Sequence, residues 1–106
     1  MINVAKDFTR FPSGRWKKNG NTSGEAFRNN FIEPAIKNRT PIAIDLDGVI
    51  GYGSSFLEEA FGGSIRSTRI NKSEFNKIVT LISENKTLIK EIEKYLEDAS
   101  KSIARR

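Results

Sequence analysis

Ile42–Gly63, IAIDLDGVIGYGSSFLEEAFGG, is the stretch that decides the fold. Ile42, Ile44 and Leu46 alternate with Ala43, Asp45 and Asp47, the period of a strand with one buried face and one wetter face. Gly48, Gly51 and Gly53 punctuate a turn, and Phe56, Leu57, Ala60, Phe61 and Ile65 then recur at helical spacing. Ser54 and Ser55 fall where the strand hands over to the helix. Such a junction exposes backbone N–H groups and the positive end of the helix dipole, which suits an anion or a phosphorylatable hydroxyl. Ser55-x-x-Glu58 also fits a capping box, so the two serines can equally serve only to start the helix, each adding about 1 kcal/mol at most.

Working outward, Ile2–Ala5 reads as a first short strand, followed by a polar loop or loose hairpin around Gly14–Lys18. Thr22 or Ser23 caps a helix, Thr22-x-x-Glu25 matching a capping box. Phe27, Phe31, Ile32, Ala35 and Ile36 supply its apolar face, Pro34 predicts a kink, and the helix ends near Asn38. Beyond the central stretch, Gly62-Gly63 loosens the last turn of the second helix, and Asn71 or Ser73 starts a short helical turn. Ile78–Ile82 is a β-branched strand. Leu88, Ile89, Ile92, Tyr95, Leu96, Ala99 and Ile103 stripe a long terminal helix capped near Asn85. The order β, loop, α, β, α, β, α describes one α/β domain over residues 1–106, the size expected of a single modest core.

Composition removes several chemistries. With no cysteine there is no disulfide and no thiolate metal site. With no histidine there is no Ser-His-Asp triad and no histidine zinc site, leaving acid–base work to carboxylates, lysine or tyrosine. The start MINVAKDFTRF lacks an apolar signal segment, and no run approaches a membrane span, so a cytoplasmic protein is expected. Net charge is +5, and the excess lies toward the ends: Lys6, Arg10, Arg15, Lys17 and Lys18 near the start, Lys101, Arg105 and Arg106 at the finish.

Two further motifs compete with the serine pair for the reading of the central stretch. Asp45-Leu46-Asp47-Gly48 resembles the first motif of haloacid-dehalogenase-type phosphatases, which place two aspartates at a Mg²⁺ site. Further carboxylates from a later strand are needed, but Asp98 is the sole aspartate after Asp47 and lies on the terminal helix. Asp45 and Asp47 otherwise read as residues of the wetter strand face and strand exit. Gly51-Tyr52-Gly53 begins a dinucleotide fingerprint, but Phe56 stands at the third glycine and Asn71 where an acid is required.

VAKDF, FPSGR, SGEAF and above all IDLDGVIGYGSSFLEEAFGG resemble the STAS-like bacterial domains, a family related to anti-sigma-factor antagonists, from about Asn3 to Leu96. The resemblance implies a STAS-like small mixed β-sheet with helices packed mainly on one face. It also implies a non-enzymatic regulatory protein–protein interaction domain without a cofactor or metal. Anti-sigma-factor antagonists are switched by phosphorylation of a serine at a helix start, within a D-S-S/T-G motif, by a histidine-kinase-like ATPase acting as serine kinase. By that comparison Ser55 matches the phosphoacceptor and Ser54 the preceding serine, while Gly53 replaces Asp and Phe56 replaces Gly.

The expected partner surface is Tyr52, Gly53, Ser54, Ser55, Glu58 and Glu59, with Tyr52 as aromatic anchor and the two glutamates meeting basic groups of the partner. Those glutamates would also repel a phosphate placed on Ser55. The polar loop Arg10–Asn21 is a second candidate surface. The alternative function is nucleic-acid association through Arg10, Arg15, Lys17, Lys18, Arg105 and Arg106, with Trp16 stacking on a base. A Mg²⁺-dependent phosphatase stands behind both.

Overall fold

The computed structural model describes residues 1–104. Three strands, β1 (Ile2–Asn3), β2 (Ile42–Asp45) and β3 (Val79–Ile82), form one sheet in the order β1-β2-β3. Both pairings are parallel, where a mixed sheet was expected. Parallel neighbours need crossovers, and helical segments supply them. Register sets Ile2, Ile44 and Leu81 in one row and Asn3, Asp45 and Ile82 in the next. The first row belongs to the core, with Ile44 fully buried, whereas Ile82 is 40 % exposed. The sheet therefore has one clad face and one wet face, as the alternation in Ile42–Asp47 predicts.

Helix α1 runs over residues 24–38, as Gly24–Phe27, a wide turn Arg28–Ile32, and Glu33–Asn38. Helix α2 runs over residues 54–68 with the same construction: Ser54–Leu57, a wide turn Glu58–Gly62, and Gly63–Thr68. Each ends on an arginine in the left-handed conformation, Arg39 (φ 52°) and Arg69 (φ 58°). In α1 the wide turn ends two residues before Pro34, whose missing N–H removes one rung of the ladder. Helix α3 (Lys72–Ile78) starts on a complete capping box between Asn71 and Glu74. Helix α4 (Lys86–Ala104) buries Ile92, Leu96 and Ala99 along the predicted stripe. No described helix is long and apolar enough to cross a membrane.

The core is built around Phe27, Phe56, Phe61 and Phe75, with Ile32, Ile44, Leu57, Ile65, Ile92 and Leu96 filling between them. Phe8 closes one end, its ring meeting that of Phe27 edge-on at 5.2 Å.

Three local expectations give way to side-chain chemistry. The first strand stops at Asn3, because Asn3 Oδ1 accepts the Lys6 amide at 3.0 Å and Asp7 Oδ2 accepts the Asn3 amide at 2.7 Å. That exchange winds Val4–Phe8 into a single wide turn. Ser23 caps α1 through the Ala26 amide at 3.1 Å, while Glu25 turns away to accept the Lys17 amide at 2.8 Å. The Thr22–Glu25 box is thus not made. Likewise Ser55–Glu58 is not a box: Gly53 is the N-cap of α2, with no side chain capping it. Helix α2 passes through Gly62-Gly63, where its wide turn ends, and runs on to Thr68, and the two glycines stand there for a reason that lies in its ion pairs.

Candidate functional site

The C-terminal ends of β2 and β3 open onto one rim, the region where parallel α/β sheets offer space between their loops. Leu46 still belongs to the sheet, its amide donating to the Ile82 carbonyl at 2.9 Å. Asp45 Oδ1 then accepts the Asp47 amide at 3.0 Å, a side-chain turn that ends the strand. The Asp47 carboxylate accepts the Ser83 hydroxyl at 2.9 Å and the Glu84 amide at 3.3 Å, stapling the two loops. Gly48 turns the chain with φ 95°, a conformation that disfavours any side chain. The aspartates of DLDG therefore shape this rim, and among the described residues no cluster of three or more acids suited to a metal forms.

Tyr52 folds back over the loop. Its hydroxyl donates to the Leu46 carbonyl at 2.7 Å and its ring lies 6.0 Å from that of Phe56. Burial, then the charges of Asp47 and Asp45, push the phenol well above its ordinary value, so it stays a donor. Tyr52 is consequently a half-buried brace of the loop and not a free aromatic anchor. The exposed apolar group at the tip is Ile50, 82 % exposed. Between this loop and the start of α4 lies a crevice of about 330 Å³ lined by Asp47, Tyr52, Ser83, Thr87, Leu88 and Glu91. Beside it, Glu91 accepts the Tyr95 hydroxyl at 2.7 Å, which pushes that phenol up to about 12.

Gly53, Ser54 and Ser55 are all exposed. Helices α1, α3 and α4 each begin under a side-chain cap, from Ser23, Asn71 and Asn85. Helix α2 begins on Gly53, so its two serine hydroxyls occupy the first turn without serving as the N-cap. Phe56 and Leu57, fully inside the core, fix the position of that turn.

Glu58 and Glu59 do not face outward. Glu58 meets Arg15 at 2.5 Å and Arg66 at 2.7 Å. Glu59, 3 % exposed, meets Arg28 at 2.9 Å and Arg15 at 3.2 Å. Arg28 also holds Glu33 at 2.6 Å, and the Ser67 hydroxyl donates to the same Glu33 oxygen. Three arginines and three glutamates thus form one neutral knot between α1, α2 and the loop carrying Arg15. Its charges answer one another, so Glu58 and Glu59 are already paired within the chain, and the expected repulsion of a phosphate at Ser55 is offset. The hydrogen bond from Arg66, opposed by burial and aided by Arg15, holds Glu58 below the usual carboxylate range.

The knot also explains the two glycines. A Cβ on Gly62 would stand 2.5 Å from Glu58 Oε2, and one on Gly63 2.6 Å from Glu59 Oε2 and 2.9 Å from Arg28 Nε. Gly62-Gly63 clears room for carboxylates lying one turn back along α2. Similarly, a Cβ on Gly24 would meet the Phe56 carbonyl at 2.5 Å, marking the close crossing of α1 and α2.

Gly53, Ser54 and Ser55 lie exposed on the rim and Tyr52 lies there as a brace, whereas Glu58 and Glu59 turn into the knot and the exposed Ile50 is an addition to the expected set. A large aliphatic residue between glycines, in GVIGYG, was the available signal for Ile50. No linear pattern announces that Arg15 and Arg28 reach across to Glu58 and Glu59. Arg105 and Arg106 lie outside the described residues.

No curated protein and no solved structure matches this chain. Residues 23–88, from the cap of α1 through the rim to the first turn of α4, match the model of a family described as a STAS-like domain of unknown function. This span contains SGEAF and the whole of the rim loop, and the three-stranded α/β fold accords with it. The chain therefore belongs to the STAS-like domains of unknown function.

Proposed function

We propose that this chain is a non-catalytic regulatory module that docks on a protein partner through the rim Ile50–Ser55. The observation that carries the reading is the exposed pair Ser54 and Ser55, which start a buried helix without capping it, beside a fully presented Ile50. A partner covering Ile50 removes a large apolar side chain from water, and the serines lie within the same footprint. The partner class is a histidine-kinase-like ATPase or serine kinase, with Ser55 as first phosphoacceptor and Ser54 as second. A phosphate there gains from the amino end of α2 and meets a neutralised Glu58–Glu59 pair.

Wild type, Ile50→Asp and Ser55→Asp serve as baits in cell extract, with intact-mass analysis of the bait itself. The expected result is one partner recovered by wild type, lost with Ile50→Asp and altered with Ser55→Asp, and phosphate mass on the wild-type bait in the presence of ATP. Equal recovery by all three baits, without added phosphate, removes the reading.

A further inference from the structure

The loop between the Val4–Phe8 turn and α1 presents a second surface, distinct from the rim in its residues and joined to α2 through Arg15. No acidic residue occurs between Asp7 and Glu25, whereas Arg10, Arg15, Lys17 and Lys18 all do. Phe11 is 64 % exposed and Trp16 41 % exposed, two of the most exposed large apolar side chains of the molecule.

The loop is firmly built. Its main chain is tied at both ends: the Ser13 amide donates to Thr22 at 2.9 Å, and the Gly24 and Glu25 amides donate to Gly14 and Arg15, each at 3.0 Å. Lys17–Asn19 forms a tight turn closed by the Gly20 amide on the Lys17 carbonyl. Pro12 is buried, which anchors the segment next to Phe11. The Arg15 guanidinium, pinned by Glu58 and Glu59, lies 5.8 Å from the centre of the Trp16 ring and backs it. Arg15 is thus neutralised, while Arg10, Lys17 and Lys18 are exposed and make no ion pair among the described residues.

Exposed aromatic rings among unneutralised cations, one of them backed by Arg15, match a polyanion that carries flat, unstacked π-faces. We infer that the loop 9–22 is a binding surface for single-stranded nucleic acid, with Phe11 and Trp16 as stacking platforms and Arg10, Lys17 and Lys18 as phosphate contacts. A lipid surface fits less well. Insertion calls for a contiguous apolar face, and here Ser13, Gly14, Lys17, Lys18 and Asn19 separate or flank the rings.

Trp16 is the single tryptophan of the chain, so its fluorescence reports on this loop alone. The probe is an oligothymidylate of about eight nucleotides, within the usual footprint of such surfaces. The expected result is quenching of Trp16, with a log–log salt slope of about −2 from three phosphate contacts, so that raising salt from about 50 to about 200 mM weakens binding about 15-fold. Phe11→Ala weakens it about tenfold at unchanged melting temperature. The double variant Lys17→Glu/Lys18→Glu abolishes it. Absence of quenching at low salt, or quenching indifferent to salt and to these variants, overturns the inference. A blue shift with phosphatidylserine vesicles, and none with the oligonucleotide, assigns the loop to membranes and overturns it as well.

Discussion

Arg28 and Glu59 clasp each other across the crossing of α1 and α2: Nη2 lies 2.9 Å and Nε 3.0 Å from the same carboxylate oxygen, Oε2. The Glu59 side chain is 4 % exposed and that of Arg28 14 %. Two ions held this far from water stabilise the fold only as a pair, since each alone would bear its full desolvation cost.

Glu59→Gln should therefore cost about 3 kcal/mol, because it leaves the buried Arg28 with Glu33 alone and takes from Arg15 one of its two carboxylates. Glu58→Gln, at a side chain 25 % exposed, should cost nearer 1 kcal/mol. Urea unfolding monitored by circular dichroism ranks the two. An equal cost at both positions would show that burial does not set the strength of the knot.

Gly24→Ala should destabilise the protein by about 2 kcal/mol, as overpacking does. In an ordinary helix interior the same change stabilises by up to about 1 kcal/mol, so the sign itself is the test. The obstacle is backbone, the Phe56 carbonyl 2.5 Å from the new Cβ, and it cannot swing aside. Thermal melting of the variant decides.

Acid should loosen the fold through Glu33 and Glu58. Burial raises Glu33, but hydrogen bonds from Ser67 and Arg28 outweigh it, so both carboxyls titrate below the ordinary glutamate value of 4.5 when folded. As pH falls, the unfolded chain takes up protons first. The stabilisation is complete above the ordinary range and is lost as pH drops through the lower folded values. The urea midpoint should hold a plateau between about pH 5 and 8, since the chain has no histidine, and decline below it. Glu58→Gln should make the acid decline shallower.

Gly53→Asp should stabilise α2 by a few tenths of a kcal/mol, because aspartate is the better N-cap and complements the helix dipole. Gly53 has an ordinary φ of −73° and no atom within 4 Å of an added Cβ. A gain in melting temperature with loss of partner capture would show that the bare cap is kept for recognition.

Much of the fold was legible because it rests on period. Ile42–Leu46 alternates, the Phe56–Ile65 and Leu88–Ile103 faces recur every three to four residues, and each became the element its spacing predicted. What was not legible depends on groups far apart in sequence. Gly62-Gly63 reads locally as a loosening of the last helical turn, and only the carboxylates of Glu58 and Glu59, held in place by Arg15 and Arg28, reveal it as a clearance. Ser55-x-x-Glu58 reads locally as a cap, but Arg66 and Arg15 claim the Glu58 carboxylate. The same competition made Tyr52 look like an anchor, since nothing in GYGSS shows that its hydroxyl reaches the Leu46 carbonyl.

The arginine–glutamate knot cancels to zero, so the whole surplus of five positive charges resides elsewhere on the chain. Architecture and long-range attraction are thereby assigned to separate populations of ions. Substituting or acetylating peripheral lysines retunes the field the molecule presents to its surroundings while leaving the scaffold's internal accord untouched.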